Sequence, residues 1–221
     1  MYDYAMPSRM RYPILYLATV LAAGAQTLLE TDQVRVVRAV DKPHVKTKPH
    51  EHKVNRVMIY LQAGRQEIVS EGKTRVQEWK AGDVKWTPAS PTHTAEIISA
   101  EPVTMIEVEL KNPGDPHKIA TTALDPLKVE PKRYTLLFEN PQVRVFRTRI
   151  GPKEKIAMHE HVLNRIVVNL TDQDETITSA DGKADHVVHK AGDVSAGGPV
   201  KHREESLRDG LTEAVIVELK D

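Results

Sequence analysis

An internal repeat constrains this chain more than any other feature, because self-similarity at a fixed spacing dictates architecture ahead of any local preference. Val34-Arg35-Val36-Val37-Arg38 returns as Val143-Arg144-Val145-Phe146-Arg147, a displacement of 109 residues. His50-Glu51-His52 returns as His159-Glu160-His161, and Asn55-Arg56 as Asn164-Arg165, at the same displacement. Lys80-Ala81-Gly82-Asp83-Val84 recurs as residues 190–194, displaced by 110, so one residue is inserted in the intervening loop. His93 with Glu96 then returns as His202 with Glu205, and Glu109-Leu110-Lys111 as Glu218-Leu219-Lys220, again at 109. The 221 residues therefore divide into an N-terminal extension (1–25), a first half (26–111), a connecting segment (112–133) and a second half (134–221). The connecting segment carries Pro113, Gly114, Pro116, Pro126 and Pro131, which break regular structure and suit a linker.

Short β-branched runs mark both halves: residues 34–40, 56–61 and 104–110, then 143–149, 165–170 and 211–219, each bounded by glycine, proline or aspartate. The pattern predicts an all-β protein, sandwich or barrel. Helical periodicity is absent there; residues 119–127 have room for a turn or two.

Composition narrows the function. Lysine plus arginine equals aspartate plus glutamate, 31 of each, so charge favours neither nucleic acid nor an anionic membrane as a partner, and a small molecule is expected. With no cysteine there are no disulfides and no thiolate chemistry, and any metal must be held by histidine and carboxylate. Met10 and Arg11 precede an apolar run from Tyr12 to Ala23, and Ala23-Gly24-Ala25 forms a small-residue cleavage pattern before Gln26. That is the layout of a secretory signal, and the run is short of the roughly 20 residues that span a bilayer. The expectation is a secreted or periplasmic protein with no permanent membrane span, beginning near Gln26.

The histidines carry the chemistry. In a strand, residues i and i+2 share a face, so His50 and His52, and likewise His159 and His161, can present two imidazoles to one ion. His93 and His202 follow the turns at Gly82-Asp83 and Gly192-Asp193 and stand ready as third ligands. Glu51 and Glu160 alternate outward, and His186 and His189 follow an Asp-Gly turn where exposure is usual. Trp86 reads as a core residue with pocket wall as the alternative. No nucleophile elbow, phosphate loop or dinucleotide fingerprint is present.

These spacings resemble the cupin superfamily, whose first motif pairs His-x-His with a following glutamate and whose second runs glycine, proline, histidine. Gly82, Pro88 and His93 match the second motif, with Ser90 where glycine is usual; Gly192, Gly197 and His202 match it one residue short. The resemblance covers residues 28–111 and 137–220 and implies two tandem cupin (double-stranded β-helix, jelly-roll) barrels. It also implies a divalent metal, iron, manganese, zinc or nickel, held by His50, His52 and His93 and by His159, His161 and His202. The pattern departs at one ligand: Arg56 and Arg165 stand where glutamate is expected. A guanidinium about 6 Å from a divalent ion repels it by roughly 5 kcal/mol at an effective dielectric of about 20. Either a substrate carboxylate bridges ion and arginine, or a protein carboxylate such as Glu96 or Glu205 offsets the charge, or arginine replaces the metal. Expected functions are therefore binding of a carboxylate-bearing small molecule, with dioxygenase-type oxidation if the protein is an enzyme. The alternative is a metal-free module for sugars or small ligands, or one used for homodimerisation.

Overall fold

The computed structural model describes residues 24–118 and 120–221. The apolar run of the expected signal lies outside the described residues. Among those described, no helix is long and apolar enough to cross a membrane.

The first half comprises β1 (Gly24–Glu30), β2 (Val34–Asp41), β3 (His50–His52), β4 (Arg56–Tyr60), β5 (Gly64–Ser70), β6 (Lys73–Trp79), β7 (Val84–Thr87), β8 (Ser90–Ile97) and β9 (Val103–Leu110). After α1 (Pro126–Val129), the second half repeats the series as β10 (Tyr134–Glu139), β11 (Val143–Ile150), β12 (Lys155–His161), β13 (Arg165–Asn169), β14 (Gln173–Ser179), β15 (Ala184–His189), β16 (Val194–Gly197), β17 (Val200–Ser206) and β18 (Thr212–Leu219). Each half is a sandwich of a five-stranded and a four-stranded antiparallel sheet: β1-β2-β9-β4-β7 over β3-β8-β5-β6, and β10-β11-β18-β13-β16 over β12-β17-β14-β15. The correspondence extends to defects. The β1–β2 ladder slips between Thr27 and Leu29, and β10–β11 slips between Leu136 and Phe138, again 109 residues on.

The all-β expectation holds, and the runs read from the sequence form β2, β4, β9, β11, β13 and β18 to within a residue or two. β1 and β10 carry no such signal, because GAQTLLE and YTLLFE lack the β-branched alternation of their neighbours. Gln26, the expected first residue after cleavage, lies inside β1 and pairs with Arg38. The connecting segment is anchored: Asp125 caps α1 and is buried against the Arg144 guanidinium, with oxygens at 2.6 and 2.9 Å.

Strand alternation sorts the five-stranded sheets into two faces. Val34, Val36, Val57, Ile59, Ile106 and Val108 point away from the first barrel and meet Val143, Val145, Ile166, Val168, Val215 and Val217 from the second, forming one apolar core between the halves. Both faces of β4 are thus buried, which explains its unbroken apolar run Val57–Tyr60. Trp86 packs against this shared core, as its core reading required. The contact is two-fold: Arg38 donates to the Gly192 carbonyl (2.7 Å) and Arg147 to the Gly82 carbonyl, while Asn55 donates to Gln142 (2.6 Å) and Asn164 to Gln33 (2.7 Å). Gly82 and Gly192 have φ of 82° and 87°, a backbone that disfavours any side chain, so the turns presenting these carbonyls require glycine.

The alternate residues point into the barrels. Arg35, Val37 and Ala39 of β2, Arg56 and Met58 of β4 and Glu107 and Glu109 of β9 line a cavity of about 920 Å³ in the first half. The second half encloses about 130 Å³.

Candidate metal and ligand sites

Two histidine triads form, one in each barrel. His50 lies opposite His93 in the β3–β8 ladder and His159 opposite His202 in β12–β17, and side chains directly opposed across an antiparallel pair share a face. His52 and His161 join them from two residues along. The candidate ligand nitrogens of His50, His52 and His93 lie within 4.8 Å of one another, as do those of His159, His161 and His202. The second triad is buried; the first is half-buried at the mouth of its larger cavity.

Second partners fix most of the rings. His50 Nδ1 is 2.9 Å from the Lys48 carbonyl, His93 Nδ1 2.9 Å from that of Pro91, and His159 Nδ1 2.9 Å from that of Ala157. His161 Nδ1 is 2.8 Å from Glu218 Oε1. A neutral imidazole donates its one proton to these acceptors, which leaves the Nε2 lone pair for the site. Burial holds His161 down to about 2 and His202 to about 3, and lowers His159; burial with the adjacent Arg56 holds His52 at about 3.

The arginines part company. On the barrel face of each five-stranded sheet, one rung reads Arg35–Glu109–Arg56 in the first half and Arg144–Glu218–Arg165 in the second. Arg56 Nη1 donates to Glu107 Oε2 at 2.7 Å and to His52 Nε2 at 2.9 Å, so it occupies the lone pair an ion would need. Arg165 instead lies along Gly197 and donates to the Gly198 carbonyl. Two substitutions between the copies account for this. Gly197 stands where the first half has Thr87, and a Cβ there would come 3.1 to 3.2 Å from the guanidinium; Ile216 stands where the first half has Glu107, so Arg165 lacks the carboxylate that pairs with Arg56 in the first barrel. Glu96 and Glu205 face away, paired with His44 (4.0 Å) and Lys155 (3.1 Å), and neither lines a cavity.

No protein-family model matches the sequence, and no curated protein does. Solved structures do. AerE from Microcystis aeruginosa aligns with a TM-score of 0.61 over 89% of this chain and 97% of its own, at 11% identity. A cupin 2 conserved barrel domain protein from Leptotrichia buccalis aligns at 0.54 over 93% and 92%, at 13% identity. Oxalate decarboxylase from Bacillus subtilis, in a tryptophan-to-tyrosine variant, aligns at 0.59 over 91% and 74%, at 14% identity. The fold is that of a bicupin. At these identities the likeness carries architecture and leaves chemistry to the site.

Within this fold the second triad fits a divalent ion. His159 Nε2 and His202 Nε2 are 2.9 Å apart, close to the roughly 3.0 to 3.4 Å that two nitrogens about 2.1 Å from a common ion subtend. The Glu218 carboxylate behind His161 is the outer partner that metal-bound histidines use to set tautomer and basicity. Burial lifts Glu218 to about 7 against the opposing pull of Arg144, 3.6 Å away. Glu107, Glu109, Glu204 and Glu218 are site residues that the sequence reading misses. Glu109 and Glu218 had a signal, since they recur with Arg35 and Arg144 in the repeat; Glu107 and Glu204 had none, being unmatched between copies.

Proposed function

We propose that the chain is an exported protein of two cupin domains, residues 26–111 and 134–221, whose second barrel holds a divalent metal and binds a small carboxylate-bearing molecule. His159, His161 and His202 would hold the ion, and Arg165 would take the carboxylate with its two-pronged fork. The observation that carries this reading is the buried triad whose candidate ligand nitrogens lie within 4.8 Å of one another, with the nearby Arg165 hydrogen-bonded to the Gly198 carbonyl rather than to a histidine. Three neutral ligands leave coordination positions open, and iron there would supply oxygen-activating chemistry of the dioxygenase type. The protein's own part is to keep the histidines neutral, through burial, to exclude bulk water, and to orient an anionic substrate against Arg165.

The first barrel supports a different role. Arg56 occupies the place of an ion between His52 and Glu107, which favours metal-free ligand binding in the wider cavity. Elemental analysis of protein purified without chelators, combined with oxygen uptake, tests the whole. One ion per chain, lost on His159→Ala, supports the proposal; stoichiometric iron with oxygen consumption supports the enzyme, and metal-free protein overturns both. Export is tested by N-terminal sequencing of the secreted chain, which should start near Gln26; a full-length chain confined to the cytoplasm contradicts it.

A further inference from the structure

The two barrels differ most at the end away from the histidines. In the first half that floor is apolar and filled: Tyr60 stacks on Trp79 with ring centroids 4.3 Å apart, against Val103 and Ile97. The corresponding residues of the second half are Asn169, His189, Thr212 and Ser206. Two wall positions change in the same sense, Gln66 to Glu175 and Ala95 to Glu204. An apolar plug has become a polar chamber: Asn169, His189, Thr212, Glu175 and Glu204 line the 130 Å³ cavity that Arg165 and His202 also line.

That chamber is unsatisfied. Asn169 is 1% exposed and its Nδ2 has no hydrogen-bond partner among the described residues. Glu175 is 7% exposed, lines the cavity and has no hydrogen-bond or ion-pair partner among the described residues. Glu204 is contacted by Tyr134 Oη at 3.5 Å and by His202 Nε2 at 3.4 Å, with no described lysine or arginine within ion-pair distance. Buried polar groups are nearly always paired, so unpaired ones gathered around a cavity mark the place of an occupant.

We infer that this chamber binds the hydroxyl end of a small hydroxy acid whose carboxylate lies toward Arg165 and the second triad. The inference rests on the carboxylate-binding reading above and extends it by naming the other end of the ligand. A hydroxyl fits where other groups fail: it donates to Glu175 or Glu204 and accepts from the Asn169 amide. An ammonium has no lone pair for an amide nitrogen, and a second carboxylate has no proton for the two glutamates. The cavity has room for about ten water-sized groups at roughly 10 to 15 Å³ each, which suits an acid of about four or five carbons.

The test is calorimetric titration of manganese-loaded protein with 4-hydroxybutyrate, butyrate and succinate, which share a four-carbon frame and one carboxylate and differ at the far end. The hydroxy acid should bind at least tenfold more tightly than either of the others. Glu175→Leu and Asn169→Leu should each remove most of its advantage over butyrate while leaving butyrate affinity within about twofold. Both variants should be folded with unchanged manganese content, since neither residue belongs to the triad. Equal affinity for the three acids, or a hydroxyl preference that survives both variants, overturns the hydroxyl inference and leaves carboxylate binding standing. Failure of all three acids to bind, with manganese retained, overturns carboxylate binding as well.

Discussion

Replacing Arg56 with methionine should convert the first barrel into a metal site. Arg56 Nη1 lies 2.9 Å from His52 Nε2 on the lone pair that an ion would use, so an ion about 2 Å from that nitrogen would collide with the guanidinium, which would have to swing aside to about 5 Å before the ion could bind. At an effective dielectric of about 20 the repulsion is roughly 7 kcal/mol, equivalent to about five tenfold steps in affinity, which the Glu107 carboxylate at 2.7 Å only partly offsets. Methionine keeps the length and removes the charge. It also strands Glu107, whose side chain is 12% exposed, and an unpaired buried charge costs about 3 to 5 kcal/mol. Metal-free Arg56→Met protein should therefore melt well below the parent, and manganese at about a hundredfold excess over its dissociation constant should return about 2.7 kcal/mol. In a His159→Ala background, which disables the second triad, mass-spectrometric metal analysis should find no ion with Arg56 and one with methionine. The reasoning is refuted if both chains bind none, or if the Arg56 chain already binds one.

Two further outcomes follow from the second barrel. His161 is held neutral in the fold at about 2, far below its ordinary 6.5, so below pH 6.5 the unfolded chain takes up a proton that the metal-free native state refuses, and stability is lost as pH falls. Denaturant titrations of metal-free protein should show the parent losing up to roughly 3 kcal/mol relative to His161→Phe between about pH 6.5 and 4, at about 1.4 kcal/mol per unit; a constant difference contradicts this. Gly197→Thr, which copies Thr87, should press Arg165 off its seat and toward the histidines, weakening manganese binding tenfold or more by calorimetry, with Gly197→Ala between the two; unchanged binding would mean that the arginine posture is not what separates the barrels.

The architecture was legible because duplication leaves the same strand pattern twice, and because β-branched runs such as Val34–Asp41 have few other folds open to them. The histidine clusters were legible for a local reason: i and i+2 on a strand share a face, and the third ligand falls directly opposite the first. What separates the two sites was not legible. Arg56 and Arg165 occupy equivalent positions in the repeat and differ in posture through Thr87 or Gly197 on one neighbouring strand and Glu107 or Ile216 on another. Those partners are brought together by sheet register, far apart in sequence, and no local pattern signals them. The shared core between the halves was equally hidden, since a strand buried on both faces, such as β4, loses the alternation that would mark its outer side.

The most direct measurement of the central claim, that the second barrel is the metal site and the first is not, is anomalous diffraction from a crystal of the protein equilibrated with manganese. The account predicts one strong peak about 2 Å from the Nε2 atoms of His159 and His202, beside His161, and none between His50, His52 and His93. A peak in the first triad, or none in the second, would contradict it.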